Sequence, residues 1–196
     1  MLPTRVLLAL TTLCLCAAAA VFGVWLAQRG DEAPAAQGWQ GSVRPPGARL
    51  PAFSLTTQDG EAMTAAALRG RPVIVTFIYS TCEDTCPGQV QSIRGALDDL
   101  GRDVPVIGVS VDPAGDTLRR AQAFLVEQSM KGRMDFLLGT REELEPVWDA
   151  FGIAPQRDGR DHSAYTVLVD AEGRQRTGFP ASQLTPRALA ADLARL

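Results

Sequence analysis

PVIVTFIYSTCEDTCP, residues 72–87, opens with an uncharged run of β-branched and aromatic residues and closes on two cysteines four positions apart. A short, continuous apolar run of this kind has no polar face to offer water, so it predicts a strand covered on both sides. The cysteines come directly after it, where a strand gives way to a helix. Ile93, Leu97 and Leu100 share one helical face, which predicts a helix from near Asp84 to Gly101.

The same alternation continues outward. Residues 104–111 form a second apolar strand run, and Asp116 is placed to cap a helix whose stripe is Leu118, Ala121 and Leu125. Thr140 and Glu143 have the spacing of a capping box, and Gly152 closes the helix they open. Residues 164–170 and 174–179 predict two strands joined by the turn Ala171-Glu172-Gly173. Thr185-Pro186 opens a last helix, with proline where it is tolerated. Upstream, residues 52–57 and 62–64 flank Asp59-Gly60, a hairpin signal. Strand and helix in this order predict an α/β thioredoxin-like sandwich around a central, mainly parallel sheet.

Placing thiols at a strand-to-helix junction has a chemical consequence. Free amide hydrogens and the positive end of the helix favour thiolate over thiol, and residues four apart face the same way. Cys82 and Cys86 therefore have the spacing to close as a disulfide or to hold a soft metal. His162, the only histidine, lies in Asp161-His162-Ser163 just before a strand. In a thioredoxin-like sheet the loop entering that strand faces the cysteine-bearing helix. Two thiolates and one imidazole make a soft set of three donors, which favours Cu(I) over oxygen-seeking cations. A structural zinc site would want a fourth ligand. Asp161 either orients the imidazole or caps the turn.

The N-terminal part differs in kind. Residues 6–27 carry no charge and match the length that spans a bilayer, with Arg5 before them and Asp31 and Glu32 after. Residues 1–27 are read as an uncleaved signal anchor with the domain outside, a cleaved signal peptide being the alternative. Cys14 and Cys16 fall within this run and count as small hydrophobes. Residues 28–49, rich in Ala, Gly, Pro and Gln, predict a flexible linker, and residues 50–196 a single domain. The net charge of −3 and the lack of a basic cluster argue against nucleic acid as a partner.

From residue 51 onward the chain resembles the Sco/SenC family of copper proteins. FSLTTQDG, LRGRPVIVTFIYSTCEDTCP, GVSVDPAGDT, LLGTREELEPVWDAFGI and DHSAYTVLVDAEG carry the resemblance, in that order. It implies a thioredoxin-like fold and a copper ion held by Cys82, Cys86 and His162. It also implies a role in assembling the CuA centre of cytochrome c oxidase, by delivering copper or by reducing the acceptor cysteines. The implied partners are the CuA-bearing subunit or another copper acceptor, and a copper donor. The implied location is the periplasmic face of the inner membrane, held by a single-pass anchor. Two departures stand out. Glu83 replaces the proline that commonly follows the first cysteine, and its charge is expected to raise the thiol pKa values. The segment between Gly152 and Asp161 is short and lacks the expected aromatic residues.

Two functions follow as expectations: a copper metallochaperone, or a membrane-tethered thiol–disulfide oxidoreductase with Cys82 and Cys86 as its redox pair and Cys82 attacking first. A peroxide-reducing role would leave His162 without a part.

Overall fold

Alternate residues of one strand separate the two halves of the core. The computed structural model describes Pro3 and residues 38–155 and 164–196. Strands and helices run β1 (Ser42–Val43), β2 (Ser54–Thr56), β3 (Ala62–Thr64), β4 (Val73–Ile78), α1 (Thr85–Leu100), β5 (Val106–Ser110), α2 (Leu118–Glu127), β6 (Asp135–Leu137), α3 (Arg141–Phe151), β7 (Tyr165–Val169), β8 (Gln175–Pro180) and α4 (Pro186–Leu193). Every residue of β4 is buried. Ile74 and Ile78 point to the side covered by α1, α2 and α4, where they meet Val90, Ile93 and Leu189. Val73, Val75 and Phe77 point to the other side, against Leu144, Trp148 and Phe151 of α3. Successive strand side chains face opposite ways, so only a strand covered on both sides can be apolar throughout. The Phe77 and Phe151 rings lie 5.2 Å apart; Phe77→Ala would cost about 3–5 kcal/mol.

Six strands form the main sheet in the order β1-β8-β7-β4-β5-β6. β4 pairs parallel with β5, and β5 with β6. The pairs β4–β7, β7–β8 and β1–β8 are antiparallel. The sheet is thus mixed, not mainly parallel as expected. The turn at Ala171–Gly173 reverses the chain between β7 and β8, and β7 itself runs against β4, so this half of the sheet can only be antiparallel. The fold remains the thioredoxin-like α/β sandwich. β2 and β3 pair separately, and Thr56 bridges Leu138 beyond β6.

Most helix ends fall where local chemistry sets them. Gly101 and Gly152 take left-handed conformations that close α1 and α3. Thr140 and Glu143 form the capping box in full, and Thr185 caps α4 by accepting the Ala188 N–H.

Residues 38–49, which composition assigned to the linker, lie against the sheet: β1 pairs with β8, and Gln40 and Gly41 donate to Asp192. Residues 38–196 form one compact unit. Among the described residues no helix is long and apolar enough to cross a membrane. Apart from Pro3, the expected anchor (1–27) lies outside the described residues, as do the start of the linker (28–37) and Asp161, His162 and Ser163.

Candidate metal and thiol site

β4 delivers its chain end at Tyr79, and within three residues the first cysteine is reached. Cys82 and Cys86 are both reduced and buried, at 7% and 0% exposure. α1 begins at Thr85, but the residue before it, Asp84, makes no side-chain capping bond. The backbone N–H of Cys86 is instead taken by Cys82 Sγ, at 3.2 Å. The sulfur stands where a serine or aspartate oxygen would ordinarily cap a helix.

This geometry separates the two thiols. Cys82 is lowered from 9.0 to about 5, chiefly by the hydrogen bond from the Cys86 side chain. Backbone N–H groups of Cys86 and Asp84 and the Tyr79 side chain add to it, while burial opposes. Cys86 moves far upward, because it keeps its proton to donate to Cys82 and because it is buried; the charges of Cys82 and Asp116 add to this. One proton is thus shared between two sulfurs, with the negative charge on Cys82. The expectation that Glu83 would raise both thiols is corrected for Cys82: donated hydrogen bonds to its sulfur outweigh a neighbouring exposed carboxylate.

Asp116 does not cap α2. Thr117 does so, accepting the Arg120 N–H. Asp116 Oδ1 accepts the backbone N–H of Ser80 at 2.7 Å and the Ser80 hydroxyl at 2.5 Å, and Oδ2 accepts the Ser110 hydroxyl at 2.5 Å. Burial raises its carboxyl pKa, and the Ser110 and Ser80 bonds oppose that rise. Asp112 keeps its expected turn role, accepting the Gly115 N–H at 3.1 Å. Ser80 and Ser110 are therefore site-bordering residues that patterning did not find. The only signal was the last aspartate of GVSVDPAGDT, which also fits a helix cap.

β7 runs antiparallel to β4, with Thr166 opposite Thr76. Its first residue, Tyr165, therefore stands at the end of the sheet where β4 leads to the cysteines. Beneath, Gln89 of α1 donates to Thr76 and Thr166, joining the cysteine helix to both strands. A cavity of about 770 Å³ borders Val104, Val106 and Met134, at the opposite ends of the parallel strands, and touches neither cysteine.

A model of the SCO1/SenC family matches residues 43–196. The chain belongs to that family. It is 26% identical over 139 residues to an SCO2-like protein of Rickettsia prowazekii, covering 65% of this chain and 67% of that one. It is 29% identical over 119 residues to the mitochondrial SCO1 homolog 1 of Arabidopsis thaliana; this is 59% of the chain but only 35% of the plant protein. Among solved structures it is similar to Bradyrhizobium japonicum ScoI with copper bound, at a TM-score of 0.60 and 32% identity over 76% of this chain and 99% of that one. The SCO1/SenC match begins at residue 43, on β1, so it takes in part of the segment that composition assigned to the linker.

Proposed function

We propose that this SCO1/SenC protein is a copper metallochaperone that serves assembly of the CuA centre of cytochrome c oxidase. Cys82 and Cys86 are the thiolate ligands and His162 the imidazole ligand of one copper ion. The observation that carries this reading is the adjoining pair of reduced thiols at the start of α1, one of them held as a thiolate. Soft sulfur donors select Cu(I), and the Bradyrhizobium relative has copper bound. The start of β7 at the cysteine end of the sheet supports His162 as the third ligand, since only two residues separate it from Tyr165.

In this reading Cys82 meets the ion already ionised, and Cys86 gives up its proton as its sulfur binds. Three ligands leave an edge open, through which a copper donor supplies the ion and a CuA-bearing subunit takes it by ligand exchange. Residues 1–27 anchor the protein in the inner membrane, and the domain works on the periplasmic side.

A second reading draws on the Cys82 thiolate itself. As a thiol–disulfide oxidoreductase, Cys82 attacks an acceptor disulfide, forming a mixed disulfide and releasing one acceptor thiolate. Cys86, once deprotonated, then attacks Cys82 Sγ, leaving a Cys82–Cys86 disulfide and a reduced acceptor.

The deciding experiment loads the reduced full-length chain with Cu(I) under anaerobic conditions and challenges it with a Cu(I) chelator. One retained copper per chain, lost in Cys82→Ala, Cys86→Ala and His162→Ala, is expected. Retention in His162→Ala would remove that ligand, and a wild-type chain that keeps no copper yet cycles its disulfide would leave the oxidoreductase.

A further inference from the structure

We propose that Asp116 is the positioning residue of the cysteine pair, its carboxylate clamping Ser80 to the end of β5 and so fixing where Cys82 Sγ stands. The helix-capping role the sequence offered this residue belongs to Thr117, so the carboxylate is free for another purpose. Both of its oxygens are spent on hydrogen bonds: Oδ1 on the backbone and hydroxyl of Ser80, Oδ2 on the hydroxyl of Ser110.

The two ends of the clamp differ in firmness. Ser110 is fully buried, and its carbonyl accepts the indole N–H of Trp148 at 2.9 Å, so it is fixed to β5 and α3 together. Ser80 starts the segment that carries Cys82, in which Thr81, Glu83 and Asp84 are exposed. Asp84 contributes no capping side chain at the helix start. Within this segment Cys82 N donates only back to Tyr79, at 3.3 Å, while the bonds of Ser80 to Asp116 reach a different part of the fold. Cys82 Sγ therefore meets the Cys86 N–H from a segment that Asp116 ties to β5, in addition to the burial of Cys82 itself and the bond from the Tyr79 side chain. Burying a carboxylate is costly, and here burial does raise its pKa, a cost that the three hydrogen bonds to Ser80 and Ser110 offset.

The inference rests on the copper reading for one of two readouts, and the second is independent of copper. Asp116→Ala is expected to weaken Cu(I) retention by about tenfold or more, the usual scale for losing a group that orients a ligand. Asp116→Asn, whose amide oxygen still accepts the Ser80 N–H, is expected to stay within about threefold of wild type. The same ordering is expected for the Cys82–Cys86 equilibrium with glutathione: relative to Asp116→Asn, Asp116→Ala favours the disulfide, because the reduced form loses a held thiolate. Wild-type behaviour of Asp116→Ala in the glutathione equilibrium overturns the clamp. So does an Asn variant as impaired as the Ala variant, since that pattern belongs to charge. If Asp116→Ala does not fold, Ser110→Ala, which releases the carboxylate from β5, must shift the glutathione equilibrium in the same sense, and no shift overturns the proposal. A wild-type chain that holds no copper sinks the copper reading alone, and the glutathione arm still decides the clamp.

Discussion

Cys82 Sγ accepts the backbone N–H of Cys86 at 3.2 Å, so the first cysteine caps the helix that carries the second. The consequence is a coupling between chemistry and local structure. A capping acceptor contributes about 1 kcal/mol to a helix start. When this sulfur enters a disulfide, its thiolate charge disappears and its strength as an acceptor falls. The first turn of α1 is then held less firmly, at the point where the second sulfur must be presented.

The first prediction concerns pH. An alkylating reagent that reacts with thiolate is expected to modify Cys82 of the reduced chain first, with a rate that rises through about pH 5, against 9.0 for an unperturbed thiol. The sign for stability follows. Between those values the folded chain has lost a proton that the unfolded chain keeps, so the Cys82 contribution grows as pH rises and is lost as pH falls through about 5. Mapping the alkylated residue by mass spectrometry across this range checks it. Equal labelling of both cysteines, or a midpoint near 9, would defeat the assignment.

The second prediction concerns the segment before the hairpin. Asp192 is completely buried, and its oxygens accept Gln40 N–H at 2.7 Å and Gly41 N–H at 3.0 Å. Trp39 lies against the guanidinium groups of Arg176 and Arg195, at 5.5 and 5.2 Å from its ring centre. Removing residues 38–49 takes both of these donors from Asp192, and losing a hydrogen bond to a charged group costs about 1.5–3 kcal/mol. A chain beginning at Leu50 should therefore unfold at lower denaturant than one beginning at Gly38, and Asp192→Leu should restore part of the loss in the shorter chain. Equal midpoints for the two chains would show that this segment is dispensable.

The contrast between these cases explains what the sequence could disclose. β4, the capping box of Thr140 and Glu143, and the glycine stops at Gly101 and Gly152 are local: each is decided by residues within one turn or one strand. The cysteine pair is local too, since its chemistry follows from being at a strand-to-helix junction. β1 is not. It has two exposed residues and exists because β8 and Asp192, more than 130 positions away, offer partners. Asp116 was visible as a residue but not as a clamp, because Ser80 lies 36 positions upstream and no period links them. The mixed sheet was missed for a related reason: a buried strand reads alike whether its neighbour runs parallel or antiparallel.

The third prediction isolates backbone strain. Ser129, just beyond α2, has φ of 57°, a left-handed conformation in which an L side chain crowds its own carbonyl. Glycine takes this conformation freely at the end of a helix. Ser129→Gly should therefore be neutral to stabilising, by up to about 1 kcal/mol, even after the unfolded chain gains entropy. Equilibrium urea unfolding measures it, and a loss of stability would mean that the conformation carries little strain.

The fourth prediction addresses polar groups buried in an apolar setting. Gln89 is 2% exposed and donates to the hydroxyls of Thr76 and Thr166 at 3.3 and 3.4 Å, while its Oε1 has no partner. Those two hydroxyls also bond each other, at 3.0 Å. Gln89→Met keeps the length of the side chain, removes the orphaned oxygen and leaves the hydroxyl pair intact. Two long bonds are given up, and the desolvation penalty of an unsatisfied carbonyl, about 1–3 kcal/mol, is recovered. The variant should unfold at the same or higher denaturant than wild type. A loss above about 1 kcal/mol would instead mean that Oε1 finds a donor in solution, such as a buried water, and that the amide is a fully bonded link between α1, β4 and β7.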